Sequence, residues 1–544
     1  MKTRNALPLA IAVPLLFGSA SGLAAGLTDV PSANTRVDGQ SRPNVLSPEL
    51  AEQAVAAGSI GVENPSALVG FYGYDATSLD VSTQFVPSFG SNVEASKTEP
   101  DKNTYLLLDA QIGPDTDYDY GHHFLFQGHE TGKTGYLTRV NLDADAAHRV
   151  TLMADQDVHG KQLPTFDGST WNPFAKVLLL TAEAGASGGV WQATLDYPSQ
   201  VTDISSALGR GGYEGIQTDR DGNVWIVEDV GGASGTGANN TARRPNSFIY
   251  RFVPNHPNEL TRGGRLQALQ VMKLGGDCQG AANPITYDAT LNADQAAFVQ
   301  DVSDLHTYGN AFCTRWVDLT LGASYNANAA AKAAGATPFK RPENGVFQPG
   351  TGFRSFYFTE TGDTNMNSTA NFGFGGYGAV FMLTQPGGPS ADTGILRMFY
   401  LGDVAHSGFD NIAFAGATKL LVVEDAGDTL HRQRNALDSG YLFDTRVDYG
   451  TGAPPVRFLA EGRDASATLD ALLSGSSGFQ NEGDNEITGI HVSNGDPTVQ
   501  GLLGARIPLP FALGWRVFYT QQHGDNNTWE IVPAPKDSNG FLGW

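Results

Sequence analysis

Carboxylates recur at matched spacing in this chain, and they are the residues best able to do chemistry. Residues 211–232 read GGYEGIQTDRDGNVWIVEDVGG, in which two short apolar runs, around Ile216 and at 224–227, flank a polar turn at 218–223. Asp221-Gly222 is a hairpin signal, because Gly supplies positive φ without steric cost. Folding the segment between these two residues sets Glu214 opposite Asp229, with Glu228 alongside. Residues 409–425, FDNIAFAGATKLLVVED, repeat the pattern, and Asp410 to Asp425 spans the same fifteen positions as Glu214 to Asp229. Other strand ends carry acids too: Glu130 after Gly128-His129, Glu183 after Thr181-Ala182, Glu343 after Arg341-Pro342, and Glu486 after Asn485. Converging carboxylates without nearby bases repel one another unless a hard cation sits between them, and oxygen ligands suit calcium.

Acids at strand ends also have a bland explanation, since Asp and Asn favour turns. Their repeated placement is what favours ligation. Within the pairs Glu228-Asp229 and Glu424-Asp425, neighbours on a strand face opposite ways, so one of each pair serves, and the Asp is the better choice. His129 and His523 read as structural, as no pair of histidines has metal-ligand spacing.

The elements that must position these acids are short strands. Gly 66 and Pro 28 in 544 residues speak against long helices, while 10% aromatic residues supply a core. Strand signals recur from 67–72 through 105–109, 123–127, 135–142, 177–181, 190–195, 248–253, 356–361, 379–383 and 420–423 to 516–520. Helices are expected at 47–57, from Ser47-Pro48-Glu49, and at 292–305, 327–334 and 466–473. Many short strands over about 450 residues, with an internal repeat, point to an all-β chain: a β-propeller, taken as six-bladed, with small helical insertions. It would occupy 67–544, with insertions near 290–335 and 460–480, after a polar leader at 25–66. In a propeller, acids at one end of several blades converge on one axis.

Residues 1–24 read as a Sec-type signal peptide, with Lys2 and Arg4 before an apolar stretch and a Gly22-Leu23-Ala24 cleavage pattern. Export to the periplasm or beyond is the expectation. Cys278 and Cys313, the two cysteines present, would then pair in a disulfide. The net charge of −23 becomes −25 once Lys2 and Arg4 are removed. That charge argues against nucleic acid and anionic membrane as partners and suits divalent cations. Oligomeric state is left open.

In its order of motifs the chain resembles the PhoX-type alkaline phosphatases, exported propeller enzymes, from about 121 to 524. Bland segments agree as well, Tyr250-Arg251-Phe252 and 263–269 among them. The resemblance implies phosphate monoester hydrolysis at a cluster of calcium and iron ions on the propeller axis. It places the family's metal-binding acids on Glu214 (after Tyr213 in place of His), Asp229, Glu343, Asp410 and Asp425. Glu130 and Glu183 follow from its early motifs, and the "Arg-Pro-Glu" falls intact on Arg341, Pro342 and Glu343. Arg341 is a planar, bidentate donor suited to phosphate. Metal ions would stabilise the transferring group, activate water and neutralise the leaving oxygen. One departure matters. The family's iron-ligating Cys has no counterpart in 163–171, where Asp167 could stand in as an oxygen ligand, which argues against iron and for calcium. The alternatives are a non-catalytic calcium-binding propeller and a metal-dependent hydrolase of another ester or a lactone.

Overall fold

The computed structural model describes residues 26–36, 43–74, 85–88, 91–94, 98–132, 134–278, 282–462, 486–522 and 526–535. The signal-peptide segment, the expected helix at 466–473 and His523 lie outside these residues.

Short strands dominate, at 39% of residues against 10% helix, and they form a β-propeller-like ring. Six inner strands surround the axis: Pro100–Leu107, Ser169–Asn172, Tyr213–Thr218, Pro342–Phe347, Phe409–Phe414 and Glu486–Ser493. Each packs against the next, and the sixth packs against the first. Further antiparallel strands extend outward from each. The sheets are not equal blades. Phe312–Asp318 pairs with both Gly264–Val271 and Thr393–Leu401, which fuses the third and fourth units into one nine-stranded sheet. Apolar side chains fill the space between neighbouring units. Phe124, Phe126, Leu178, Leu180 and Trp191 pack between the first two. Trp225, Phe347, Phe356 and Phe381 pack between the third and fourth.

Two expected elements are corrected. Residues 47–57 are not a helix: Leu50–Ala56 is a strand, and it pairs antiparallel with Asn527–Pro533 near the other end of the chain. That partner supplies the backbone hydrogen bonds a helix would have made, and the pairing covers the last sheet's open edge. Val45–Leu46 likewise adds to Val456–Ala460, so this segment stitches two sheets together. Residues 67–72 form no strand beyond a single bridge between Gly61 and Phe71.

The helix expected at 292–305 is two, Ala293–Ala296 and Gln300–Leu305. The first starts with a capping box between Asn292 and Gln295. The break between them buries Ala297 and sets Phe298 edge-on against Phe374. Ala327–Ala333 is helical. Cys278 and Cys313 are bonded.

Candidate metal centre

The hairpin at 211–232 shows how an acid is aimed at the axis. Its turn is not a two-residue Asp-Gly loop. Asp219 closes a wider one, accepting from the backbone of Asp221 and Asn223 and from Trp225 Nε1 at 2.9 Å. Gly222 sits inside it at φ +84°. The register therefore differs from simple folding about 221–222: Ile216 faces Ile226 and Tyr213 faces Glu228. Between these pairs, Glu214 and Gly215 together oppose Val227, a β-bulge that turns the Glu214 side chain inward.

The same device recurs around the ring. Asp101-Lys102 oppose Gly128, Glu343-Asn344 oppose Thr359, and Asp410-Asn411 oppose Val423. Asp167-Gly168 face Thr181 through paired backbone bonds. In the sixth strand the bulge falls at Gly489-Ile490, and Thr488 lines the axis beside it. An acid thus stands first in five bulges. Adjacent inner strands approach closely: a Cβ on Gly168 would lie 2.0 Å from the Glu214 carbonyl oxygen. Thr181 Oγ1 donates to that carbonyl at 2.5 Å, and Thr359 Oγ1 to the Asp410 carbonyl at 2.6 Å.

A second tier comes from the ends of the neighbouring strands, where Glu130, Glu183, Asp229 and Asp425 follow directly. One axial cavity of about 50 Å³ is lined by six of the seven acids singled out from the sequence, Glu130, Glu183, Glu214, Glu343, Asp410 and Asp425, together with Arg341. The seventh, Asp229, stands behind it and accepts from Arg341 Nε. Asp101, Glu486, Thr488, Gln522 and Asp167 also line it. Glu228 and Glu424 turn away. Glu228 accepts from Phe248 N, Tyr250 Oη and Asn328 Nδ2, and Glu424 from Ser407 N and the buried Arg434. His129 is structural, buried and stacked on Tyr136.

Three triplets bring ligand oxygens within 4.8 Å of one another: Asp101, Asp167 and Glu214; Glu130, Asp167 and Glu183; and Glu214, Glu343 and Asp410. Burial and mutual repulsion push the carboxyls of Glu130, Asp167, Glu214, Glu343 and Glu486 well above the usual range, and that of Asp410 up to about 7. Glu214 Oε2, Asp167 Oδ1 and Asp229 Oδ1 are buried without a hydrogen-bond partner among the described residues. Buried polar oxygens need partners, and clustered ones of this kind fit a divalent cation. The donors are all oxygen. Both cysteines are held in the disulfide, so the residues present do not fit a thiolate-ligated iron.

Arg341 sits at the edge of this cluster with its backbone at φ +52°, a strained conformation for a non-glycine residue. Its Nε donates to Asp229 Oδ2 at 2.9 Å, and Nη2 lies 3.3 Å from Glu343 Oε1. Burial alone would lower its pKa, but Asp229 and Glu343 outweigh that and hold the guanidinium charged. Its side chain remains 22% exposed, unlike those of the acids it touches.

The chain matches the family model for alkaline phosphatase PhoX over residues 205–499, more than half its length. Among solved structures it is similar to that of Pseudomonas fluorescens PhoX in complex with vanadate, a transition state analogue. The identity is 12% and the TM-score 0.53, over 93% of this chain and 98% of that one. Sqt1 from Chaetomium thermophilum aligns at 11% identity over 80% of this chain and 97% of that one, but its TM-score of 0.30 is too low to equate the folds. No curated protein matches by sequence. The chain belongs to the PhoX alkaline phosphatase family of phosphoric monoester hydrolases.

Proposed function

We propose that this alkaline phosphatase-like hydrolase works on small phosphate esters at an axial calcium centre. The observation that carries the reading is the set of bulge acids, converging in one cavity with Arg341 at its edge. Glu214, Glu343 and Asp410 would hold one ion, and Glu130, Asp167 and Glu183 another, with Asp101, Asp229 and Asp425 completing the shell. When bound, such ions supply Lewis acidity toward phosphoryl oxygens and lower the pKa of water.

The chain's own residues do the rest. Arg341, charged and partly open to solvent, orients the phosphate through its planar fork, and Asp229 with Glu343 fixes that fork in place. Thr361 Oγ1 donates to Glu343 and holds its carboxylate. The buried inner ring keeps the acids in a low-dielectric setting, where charge on the reacting group is felt strongly.

Export is part of the same reading. The Cys278–Cys313 disulfide supports it, since such bonds persist in oxidising compartments. The described residues include no helix long and apolar enough to cross a membrane.

The test is hydrolysis of para-nitrophenyl phosphate by the purified protein, before and after chelation and after calcium is restored. Turnover that chelation abolishes and calcium restores supports the reading. Bound calcium without turnover on any phosphomonoester would instead identify a binding module. Turnover indifferent to chelation would overturn the metal assignment.

A further inference from the structure

Lys102 is the second residue of the first strand's bulge, directly after Asp101. It is only 1% exposed, and its Nζ donates to Asn344 Oδ1 at 2.9 Å. Asn344 lies in the fourth inner strand, three steps from the first in either direction around the ring, so the lysine reaches across the axis. No carboxylate of the described residues approaches the ammonium within the 4.0 Å of an ion pair. Its electrostatic neighbours are nevertheless Asp101, Asp410, Glu214 and Asp167, four acids of the inner ring. Asn344 is tied to the same acids, with its Nδ2 2.9 Å from Glu214 Oε1 and 3.4 Å from Asp410 Oδ1. Burial pulls the ammonium's pKa down to about 8 against the pull of those four acids, so at pH 7 it is a cation, linked to two inner-ring carboxylates through one amide.

We propose that Lys102 is an internal counter-cation: it stabilises the metal-free propeller against the repulsion of its inner acids and weakens metal binding above it. The inference rests on the reading that those acids hold metal. The physics gives it a definite sign. A buried ammonium lowers the energy of the uncompensated acids, and a divalent ion entering the same ring then meets a positive charge already in place. Removing the lysine's charge leaves the metal-free ring worse off and the metal-bound ring relieved of repulsion. A lysine that served only packing or its hydrogen bond would give the opposite pattern, because losing it would disorder the inner strand and weaken metal binding.

The experiment compares the wild-type chain with Lys102→Met and with Lys102→Gln, which keeps a donor for Asn344. Each protein is purified in calcium. Calcium affinity is then measured by competition with a chelating dye, and melting temperature with and without chelator. Both neutral variants should bind calcium at least tenfold more tightly than wild type. Their metal-free melting temperature should fall, with melting in saturating calcium preserved. Folding only in the presence of calcium is the extreme form of that result and supports the proposal. Unchanged or weaker calcium binding in both variants would overturn it, as would a loss of fold that calcium does not rescue. A wild-type protein that binds no calcium would instead defeat the metal reading itself.

Discussion

Exchanging Glu343 for Gln separates the work of the inner acids from that of the fold. The amide keeps the shape of the carboxylate, so Thr361 Oγ1 still finds an oxygen to donate to. Arg341 loses its contact at 3.3 Å but retains Asp229 at 2.9 Å. Glu343 shares a triplet with Glu214 and Asp410 whose ligand atoms lie within 4.8 Å. At that separation, with an effective dielectric near 20, two carboxylates repel by about 3 kcal/mol. Proton uptake already relieves part of this, because burial and Asp229 push the Glu343 carboxyl well above its ordinary range. At pH 8 the metal-free variant should therefore be more stable than wild type by roughly 1–3 kcal/mol and melt a few degrees higher.

Metal binding moves the other way. A divalent ion about 4 Å from a carboxylate gains roughly 8 kcal/mol at the same dielectric, and even a third of that corresponds to about 100-fold in affinity. Glu343→Gln should bind calcium at least about 100-fold more weakly and lose metal-dependent hydrolysis, while its melting in chelator rises. The assays are thermal melts with and without chelator, dye competition for calcium, and turnover of para-nitrophenyl phosphate. A lower metal-free melting temperature together with unchanged calcium affinity would refute the reasoning and make Glu343 a structural acid.

Two further outcomes follow from the same geometry. Arg341→Lys keeps the charge but loses the planar fork, so kcat/KM should drop by about 10- to 100-fold with calcium affinity nearly unchanged; a parallel loss of calcium would make Arg341 a support for the acids instead. The metal-free protein should lose stability as pH rises from about 4 to about 7. Burial raises both Asp410 and Glu228 to about 7, so the folded state holds protons that the unfolded chain has released, as thermal melts in chelator across that range would show. Saturating calcium should flatten or reverse the trend, because the ion displaces those protons.

The architecture was legible in the sequence because its strands are short, apolar and punctuated by glycine and acids. The matched spacing of Glu214 to Asp229 and Asp410 to Asp425 was legible for the same reason. Strand alternation also separated Asp229 and Asp425 from Glu228 and Glu424, which turn toward Tyr250 and Arg434. Three things were hidden. The strand at Leu50–Ala56 looks helical locally and is decided by a partner some 480 residues away. The register around Glu214 depends on a bulge and on Asp219 closing a wide turn, which pattern alone does not report. Asp101, Thr488 and Gln522 stand in segments without the matched hairpin spacing, Glu486 was visible only as an acid at a strand end, and Asp167 only as a stand-in for a missing thiolate. A shared signal was available: an acid followed by Gly, Asn or Lys at the start of an inner strand, in Asp101-Lys102, Asp167-Gly168, Glu214-Gly215, Glu343-Asn344 and Asp410-Asn411.

The most direct test of the account is a crystal structure of the active protein grown with calcium and phosphate, with anomalous scattering used to locate the ions. The account predicts calcium between Glu214, Glu343 and Asp410, with phosphate held by Arg341 on the same side. An axial cavity without metal in protein that hydrolyses phosphate esters, or phosphate bound away from Arg341, would contradict it.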